Sequence, residues 1–478
     1  MLVINETTTV QNVALTNEIL TTIPTSTDYL IIGNSAAGVT AAEHIRAHDA
    51  HSSITLVSSE PYAVYGRPLI SYLLEGKTDL NHIGFKPQGF YEQHHMLALV
   101  GPAFTATKLN AEAHEVTLAC GATISYGQCL LATGSIPFTP PIEGLDVAAL
   151  ENVTTFITLD DALAARNAIQ HAQAQKTNDE PLRVVVIGAG LIGLKAAEAL
   201  SYYADEVRVL ELAPRILPAV LDTEGAQLLQ QALLPHNILC TPGITASKVI
   251  CEDGRAIAVE LTDGSTIACD SIVAAVGVRP ASALAVEAGA AQGRGLIVNE
   301  RLQTTLPDVY AAGDVTQVTD LLDGSKRPLA LWPNAMRQGK IAGLQMAAHH
   351  NNYTCDELFE GNFAINAVDF FDQSLLTSGI INPAPDSNCE ETVVLTDTSY
   401  AKFVTREGML VGYILLNRPA NAGIYTSLIE QRIPLNSLDS TIFDEAPLNI
   451  DLPADLRWER LHKCYPQNRD RRGWKECE

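Results

Sequence analysis

Two glycine-rich turns most strongly constrain the fold of this chain. The segments LIIGNSAAG at 30–38 and VVVIGAGLIG at 184–193 each follow an apolar run and open an alanine-rich stretch of helical composition. A buried parallel strand, a tight glycine turn and a helix N-terminus together form the phosphate-binding unit of dinucleotide-binding folds. We therefore expect an α/β fold that binds two dinucleotides.

The first turn supplies five candidate contacts to a dinucleotide: Gly33, Ser35, Ala36, Ala37 and Gly38. Ser35 replaces the middle fingerprint glycine, and its side chain is small enough to let a pyrophosphate approach the backbone. The next predicted strand, SITLVSSE, ends at Glu60, where a carboxylate can accept both ribose hydroxyls. A tight strand-to-helix turn without a ligand is the structural alternative.

The second turn supplies five more candidates: Gly188, Gly190, Leu191, Ile192 and Gly193. Its following strand, EVRVLE, ends at Glu211, whose charge favours the free 2′-hydroxyl of NAD over the 2′-phosphate of NADP. Arg215 follows four residues later and leaves NADPH as the less favoured alternative. We expect NADH at this turn.

Each turn is followed by the same order of predicted elements. A hairpin pattern occurs at 114–126 (HEVTLACGATISY) and again at 256–268 (AIAVELTDGSTIA), each with a glycine at the reversal. An apolar strand ending in glycine follows each hairpin, namely CLLATG up to Gly134 and SIVAAVG up to Gly277. This order predicts an internal duplication of a whole domain.

Composition excludes several classes of function. The net charge of −24 lacks the basic footprint that nucleic-acid binding requires. The sequence has no apolar run long enough for a membrane helix, and the first 27 residues read as an N-terminal extension rather than a secretory signal. Nine cysteines without a CxxC pair or a close Cys/His cluster favour a reducing, cytoplasmic compartment and no metal site in this chain.

From 28 to 347 the chain resembles the pyridine nucleotide–disulfide oxidoreductase superfamily. Further landmarks are LLATGSIPFTPP from Leu130, AAVGVRP from Ala274 and VYAAGDVTQ from Val309. The resemblance implies FAD at the first turn and NADH at the second, with Asp314 on the ribityl chain of FAD. It adds these cofactor-binding candidates: Ala132, Thr133, Gly134, Gly313 and Trp332 for FAD, and Gly277 for NAD. A helix N-cap is the alternative role of Asp314.

The thiol chemistry of the superfamily lacks its residues here. The predicted helix after the first turn contains no cysteine, Ala36 stands where the peroxide-reducing branch has histidine, and the segment GRPLISYLLEG at 66–76 contains no thiol. Without a thiolate, neither disulfide reduction nor peroxide reduction has a nucleophile. The chain therefore most resembles the rubredoxin, ferredoxin and nitrite reductase branch.

Two charged residues are candidate catalytic groups. In this branch Arg67 would lie near the flavin, where a fixed cation stabilises negative charge on the reduced ring. Lys195 stands where many relatives have glutamate, and we hypothesise that it helps to hold reduced flavin or the nicotinamide carboxamide. The alternatives are a surface Arg67 paired with an acid and a solvent-facing Lys195.

The expected fold class is α/β, with two Rossmann-like dinucleotide-binding domains of the three-layer ββα type and a C-terminal α+β cap domain. We predict an N-terminal extension at 1–27, an FAD domain at 28–150 and 270–350, an NAD domain at 151–269, a cap at 351–446 and a basic tail at 447–478. Cap domains of this branch contribute to subunit contacts, so a homo-oligomer is one expectation. The tail is either a docking site for an acidic carrier or a mobile arm.

The predicted activity is that of an FAD-dependent NADH:acceptor oxidoreductase that passes electrons to an iron–sulfur or rubredoxin-like protein or subunit. Two alternatives remain open. The first is an NADH oxidase or a reductase of another small acceptor, such as oxygen, a quinone or a nitrite-type system. The second is an FAD- and NAD-binding interaction or sensor protein.

Overall fold

The chain divides into two compact units in the computed structural model, which describes residues 23–176, 180–438, 443, 447–455, 457 and 458. The first unit contains the described residues up to Arg67, Asp79–Ile136 and Val278–Asn362. The second contains Pro68–Thr78, Pro137–Gly277 and the described residues from Phe363 onward. Most of the predicted N-terminal extension and basic tail lies outside the described residues, and the domain boundaries given above stay predictions.

The strands of the described residues are numbered here in chain order. The first twelve are β1 Ser26–Ile32, β2 Ile54–Ser58, β3 Met96–Val100, β4 Ala106–Asn110, β5 Glu115–Leu118, β6 Thr123–Leu131, β7 Ser135–Pro137, β8 Val153–Thr154, β9 Arg183–Ile187, β10 Glu206–Glu211, β11 Ile238–Pro242 and β12 Ala246–Glu252. The rest are β13 Arg255–Leu261, β14 Thr266–Ala268, β15 Ser271–Ala274, β16 Val278–Pro280, β17 Leu296–Ile297, β18 Val309–Ala311, β19 Thr316–Thr319, β20 Lys326–Arg327, β21 Ile365–Phe370, β22 Gln373–Gly379, β23 Cys389–Leu395, β24 Tyr400–Arg406 and β25 Met409–Leu416.

The α-helices are numbered in the same way. They are α1 Ala36–His48, α2 Ile70–Glu75, α3 Phe90–Gln93, α4 Leu159–Gln175, α5 Leu191–Ser201, α6 Thr223–Leu233, α7 Ala283–Glu287, α8 Trp332–His350 and α9 Ala422–Glu430.

The first unit is built on a seven-stranded sheet. Its path runs β3-β2-β1-β6-β5-β4, and β18 pairs with β6 off this path. The β1, β2, β3, β6 and β18 pairings are parallel, whereas β4 and β5 join as an antiparallel meander. β1 is buried along most of its length because helices cover the parallel part of such a sheet on both faces.

The second unit repeats this plan. Its parallel sheet has the order β11-β10-β9-β15-β8, and a separate three-stranded antiparallel sheet has the order β12-β13-β14. The predicted duplication of a dinucleotide-binding domain is therefore confirmed. In both copies the glycine turn follows the strand at the centre of the parallel sheet, where such folds bind their ligands.

The two copies differ in one respect that the sequence pattern did not predict. We expected a hairpin and then a separate apolar strand in each copy. In the first copy β6 performs both roles, since it pairs with β5 near Thr123 and with β1 and β18 near Leu131. In the second copy β14 and β15 are separate strands. The unbroken β6 joins the meander directly to the parallel sheet.

The C-terminal part of the second unit is the predicted α+β domain. Its five strands form an antiparallel sheet in the order β21-β22-β25-β24-β23, and α9 packs against β25. A hairpin at Glu407 and Gly408 joins β24 to β25, with positive φ angles of 53° and 73° at the two residues.

Helices α1 and α8 cross closely in the first unit, although about 290 residues separate them in sequence. A Cβ atom added at Gly339 would lie 2.2 Å from the carbonyl oxygen of Ala37, and one added at Gly343 would lie 2.5 Å from that of Ala41. The absence of side chains at both glycines lets the backbones touch. This crossing fixes the first turn of α1.

Among the described residues, no helix combines the length and the apolar composition that crossing a membrane requires.

Candidate dinucleotide-binding sites

The first glycine turn is shaped mainly by its own packing. Gly33 has a φ of 124°, and a Cβ atom there would lie 2.0 Å from the carbonyl oxygen of Ala132. A Cβ atom at Gly38 would lie 2.0 Å from the carbonyl oxygen of Gly33. The outer two fingerprint positions are therefore required by the contact between the turn, the helix and β6. Ser35, at the middle position, is the N-cap of α1, and its side chain makes no capping hydrogen bond.

The second turn has the same geometry, and its middle position, Gly190, has more open surroundings than the two outer glycines. A Cβ atom at Gly188 would lie 2.4 Å from the carbonyl oxygen of Ala275, and one at Gly193 would lie 1.9 Å from the carbonyl oxygen of Gly188. A Cβ atom at Gly190 would meet no atom within 4 Å. Gly190 is the N-cap of α5, next to the first amides of that helix, which have no partner within the helix and can bind a phosphate. The residues of both turns fit a pyrophosphate.

Asp314 lies beside the first turn of α1. A Cβ atom at its neighbour Gly313 would lie 3.2 Å from the Cβ of Ala37, and the Gly313 amide donates to Oε1 of Gln338 at 2.8 Å. The Asp314 carboxylate accepts a hydrogen bond from Ser135 at 3.2 Å. Burial raises the pKa of Asp314, and Ser135 and Arg67 oppose this shift. A buried carboxylate needs donors, and a ribityl hydroxyl would supply one.

The alternative role of Asp314 as a helix N-cap is wrong. The residues after it form β19, from Thr316 to Thr319, instead of a helix. The Gly313 carbonyl accepts hydrogen bonds from the amide and the hydroxyl of Thr316, so a turn leads directly into the strand. Asp314 therefore has no helix amide to cap.

Glu60 and Arg67 form an ion pair in the first unit. The Arg67 guanidinium donates to one Glu60 oxygen, and the hydroxyl of Tyr65 donates to the other at 2.6 Å. Arg67 is also near enough to Asp314 to oppose the rise in its pKa. The predicted ribose acceptor and the predicted flavin cation thus belong to one charged group. Each Glu60 oxygen already has one donor, and each has a second lone pair for a ribose hydroxyl.

Glu211 supports the second glycine turn. Its two carboxylate oxygens accept the backbone amides of Ala189 and Ala213, both at 2.8 Å. The Arg215 guanidinium donates to the carbonyls of Leu221 at 3.0 Å and Pro218 at 3.3 Å. The backbone therefore holds Arg215 in its own loop, and a negative charge remains at the end of β10. This arrangement favours a free ribose hydroxyl over a phosphate.

The remaining FAD candidates lie around the ends of β6 and α8. The hydroxyl of Thr133 donates to the carbonyl of Ala281 at 2.8 Å, and Gly134 has a φ of 69°. Trp332 begins α8, and its ring packs edge to face against Phe85 with centroids 5.2 Å apart. At the matching place in the second unit, Gly277 has a φ of 115° and open space around its Cβ position.

Lys195 is not solvent-facing, because only 15% of its side chain is exposed. Its ammonium pairs with Glu198 and lies 3.6 Å from Glu75. Neither acid was among the residues predicted from the sequence. Glu198 is three residues further along the same helix, a spacing at which side chains meet, so this partner could have been found. Glu75 is 120 positions away in the numbering, and no sequence pattern links it to Lys195.

Comparison with protein families agrees with the arrangement of both turns. Residues 27–339 match the family described as pyridine nucleotide-disulphide oxidoreductase. This segment begins at β1 and ends within α8, so it contains both glycine turns and the segment around Asp314.

Two relatives and one solved structure illustrate the similarity. The chain is 29% identical to the NADH-dependent phenylglyoxylate dehydrogenase subunit epsilon of Aromatoleum evansii, over 87% of this chain and 94% of the relative. It is 32% identical to an NADH oxidase of Methanocaldococcus jannaschii, over 66% of this chain and 69% of the relative. A ferredoxin reductase from Rhodopseudomonas palustris superposes with a TM-score of 0.75 at 25% identity, covering 88% of this chain and 98% of that one.

Proposed function

The chain belongs to the pyridine nucleotide-disulphide oxidoreductase family, and on this premise we propose that it takes electrons from NADH through FAD and delivers them to an iron–sulfur or rubredoxin-like protein or subunit. The enzyme is an NAD(P)H-dependent oxidoreductase with FAD and NADH as cofactors. The identity of the acceptor is the part that we propose.

One observation carries this proposal, namely the absence of a redox thiol from the places where the family has one. Helix α1 and the segment at 66–76 contain no cysteine. Cys129, Cys240 and Cys269 lie elsewhere, and burial raises the pKa of each thiol, to about 12 for the latter two. A thiol with such a pKa is protonated at neutral pH and is a poor nucleophile. Electrons that reach the flavin therefore need an acceptor outside these residues.

This proposal gives a role to both glycine turns and to three charged residues of the sites. The first turns of α1 and α5 bind the two pyrophosphates, Asp314 accepts a hydrogen bond from the ribityl chain, and Glu211 accepts from the ribose of NADH. Arg67 supplies a fixed positive charge to the FAD site. Hydride transfer between nicotinamide and flavin is chemistry that the cofactors supply when bound, so the protein needs no acid–base pair.

Two of the similar proteins support a protein acceptor by their names. One is a subunit of a phenylglyoxylate dehydrogenase and the other is a ferredoxin reductase. The M. jannaschii relative favours a second candidate, direct reduction of oxygen, because it is named an NADH oxidase. The cytoplasmic location, a homo-oligomer and docking through the basic tail stay predictions.

The test is an anaerobic stopped-flow experiment on the FAD-loaded protein. Under the proposal, NADH bleaches the flavin within seconds, and sustained turnover requires an added ferredoxin or rubredoxin. The matched measurement uses the same mixture with air and without a carrier. Fast NADH consumption in that mixture would replace the proposal with an NADH oxidase. A stable charge-transfer complex without bleaching would replace it with a binding or sensor protein.

A further inference from the structure

A buried group of charges in the second unit joins the NADH helix to two other segments. It consists of Glu75 at the end of α2 and of Lys195 and Glu198 on α5. We call it the Lys195 cluster. The side chains of Glu75 and Glu198 are 0% and 1% exposed, and that of Lys195 is 15% exposed. Two carboxylates thus share one buried ammonium.

The cluster also holds the turn between β21 and β22. The backbone amide of Phe371 donates to Glu198 at 2.6 Å, and the Lys195 ammonium donates to the carbonyl of Asp369 at 3.2 Å. Phe371 has a positive φ of 54°, and its ring stacks on His236 at 3.5 Å. The C-terminal domain is therefore anchored on the middle of α5, through Lys195 and Glu198.

The balance of charge in the cluster depends on Lys195. Lys77 also lies 2.6 Å from a Glu75 oxygen, but its side chain is 49% exposed, so water can replace it. The Glu75 carboxylate is fully buried, so its charge is balanced by the ammonium groups of Lys77 and Lys195. Removing one partner of a buried pair leaves an uncompensated charge, which is far more costly than losing a surface pair.

The cluster lies close to the phosphate-binding end of α5. Lys195 is the fifth residue of the helix, about one helical turn or ~5.4 Å from the amides that follow Gly190. Glu198 lies three residues or about 4.5 Å further along the helix. An unbalanced carboxylate buried in this part of the helix would disfavour a pyrophosphate at the helix start and would loosen the turn that binds it.

We propose that Lys195 is a positioning residue for NADH, because its ammonium neutralises Glu75 and Glu198 and so fixes the first turn of α5 for the pyrophosphate. The inference rests on the proposed binding of NADH at α5. It assigns Lys195 a role beneath the helix instead of a contact with the nicotinamide or the flavin.

Other titratable groups around the cluster can also contribute to the pH dependence of NAD⁺ binding. They are Tyr72 and Lys77 next to α2, Tyr202 and Tyr203 after α5, Asp369 and Asp372 of the β21–β22 turn, and His236 beneath Phe371. Histidine is the one type among them that ordinarily titrates between about pH 6 and about pH 8. A His236→Gln background removes its contribution.

The test compares NAD⁺ binding to the FAD-loaded protein by calorimetry, between about pH 6 and about pH 8.5. In Lys195→Met we expect the dissociation constant to rise about tenfold at the upper end, a loss of about 1.4 kcal/mol. The difference in dissociation constant between Lys195→Met and the wild type should narrow at low pH. A buried carboxylate without its cation has a raised pKa and takes up a proton. The melting temperature of this variant should fall with rising pH over the same interval.

Two variants serve as controls. Lys77→Met removes the exposed lysine from the same Glu75 and should change the dissociation constant less than about twofold. Lys195→Met/Glu198→Gln removes one charge of each sign, and it should bind NAD⁺ within about threefold of the wild type without the pH dependence. This double variant decides the question if the single variant does not fold.

The proposal is overturned if Lys195→Met binds NAD⁺ like the wild type at every pH, if Lys77→Met has an equal effect, or if the double variant binds as weakly as the single one. A wild-type protein that does not bind NAD⁺ would instead overturn the proposed function on which the inference rests.

Discussion

The single side chain of Arg67 interacts with two neighbouring carboxylates. Its guanidinium pairs with Glu60 and lies near Asp314, so a single cation balances two carboxylates of the proposed FAD site. The sequence left two roles open for Arg67, namely a cation near the flavin or a surface arginine paired with an acid. The structure contains the pair, and the pair lies within the predicted site.

Arg67→Gln should lower the midpoint potential of the bound flavin. Loss of the cation removes stabilisation of the negative charge on the reduced ring, and about 1.4 kcal/mol corresponds to about 30 mV for a two-electron couple. Spectroelectrochemical titration measures the shift. Arg294→Gln, at an exposed arginine of the same unit, is the matched control. An equal potential in both variants would remove Arg67 from the flavin environment.

Glu211→Gln should weaken the preference for NADH over NADPH. The amide side chain keeps one oxygen acceptor for the backbone, but it loses the charge that repels a 2′-phosphate. A hydrogen bond to a charged group contributes about 1.5–3 kcal/mol, so we expect kcat/KM for NADH to fall at least tenfold. Steady-state kinetics with both nucleotides measure the ratio. An unchanged ratio would show that discrimination resides elsewhere.

Direct contacts between the backbones of helices, strands and turns shape both predicted dinucleotide sites. The glycine turns, the α1–α8 crossing and the ends of β6 and β15 all place one main chain against another. Close packing of this kind tolerates no added methyl group, because there is no space into which the neighbour can move.

Gly339→Ala should therefore destabilise the first unit by about 1–3 kcal/mol and weaken FAD retention, since the new Cβ would meet the Ala37 carbonyl. Thermal unfolding and the flavin content after gel filtration measure the two effects. Gly423→Ala is the control, because this glycine of α9 has open space around its Cβ position. Alanine there should be neutral or stabilising by up to about 1 kcal/mol. Equal behaviour of the two variants would contradict the importance of the crossing.

The sequence predicted local elements better than distant contacts. The strand that ends at Glu211 occurs where expected, because a run of alternating and β-branched residues leads into a turn. The alternative prediction of a helix after Asp314 was wrong, because the residues that follow form β19. An aspartate before a polar segment suits a turn into a strand equally well. The partnership of Glu75 with Lys195 could not be predicted, because the fold alone brings these residues together.

Charge is distributed unevenly at the scale of the whole molecule. The net charge of −24 contrasts with the last twenty residues, which contain six basic side chains: Arg460, Lys463, Arg469, Arg471, Arg472 and Lys475. These residues lie outside the part of the chain that the structure describes. An acidic protein that docks on an otherwise acidic surface would benefit from such a segment.

Removal of residues 459–478 should raise KM for an acidic ferredoxin several-fold at low salt, and leave NADH-dependent reduction of ferricyanide unchanged. Exposed charges are screened within about 8 Å at physiological ionic strength, so the difference should shrink as salt is added. Ferricyanide serves as the internal control because it needs no protein docking surface. A uniform loss with both acceptors would point to a structural role of the tail.

The pairing of β18 with β6 also determines when during synthesis each half of the protein can form. Every strand of the second parallel sheet precedes Ala275, whereas the first sheet awaits β18 and its helix pair awaits α8, which ends at His350. A nascent chain at the ribosome can thus complete the parallel sheet of the second unit while the sheet of the first unit still has an exposed edge. If the first glycine turn binds FAD as proposed, flavin capture is a late event. Until β18 is made, β6 has an open edge that a chaperone or a neighbouring chain can contact.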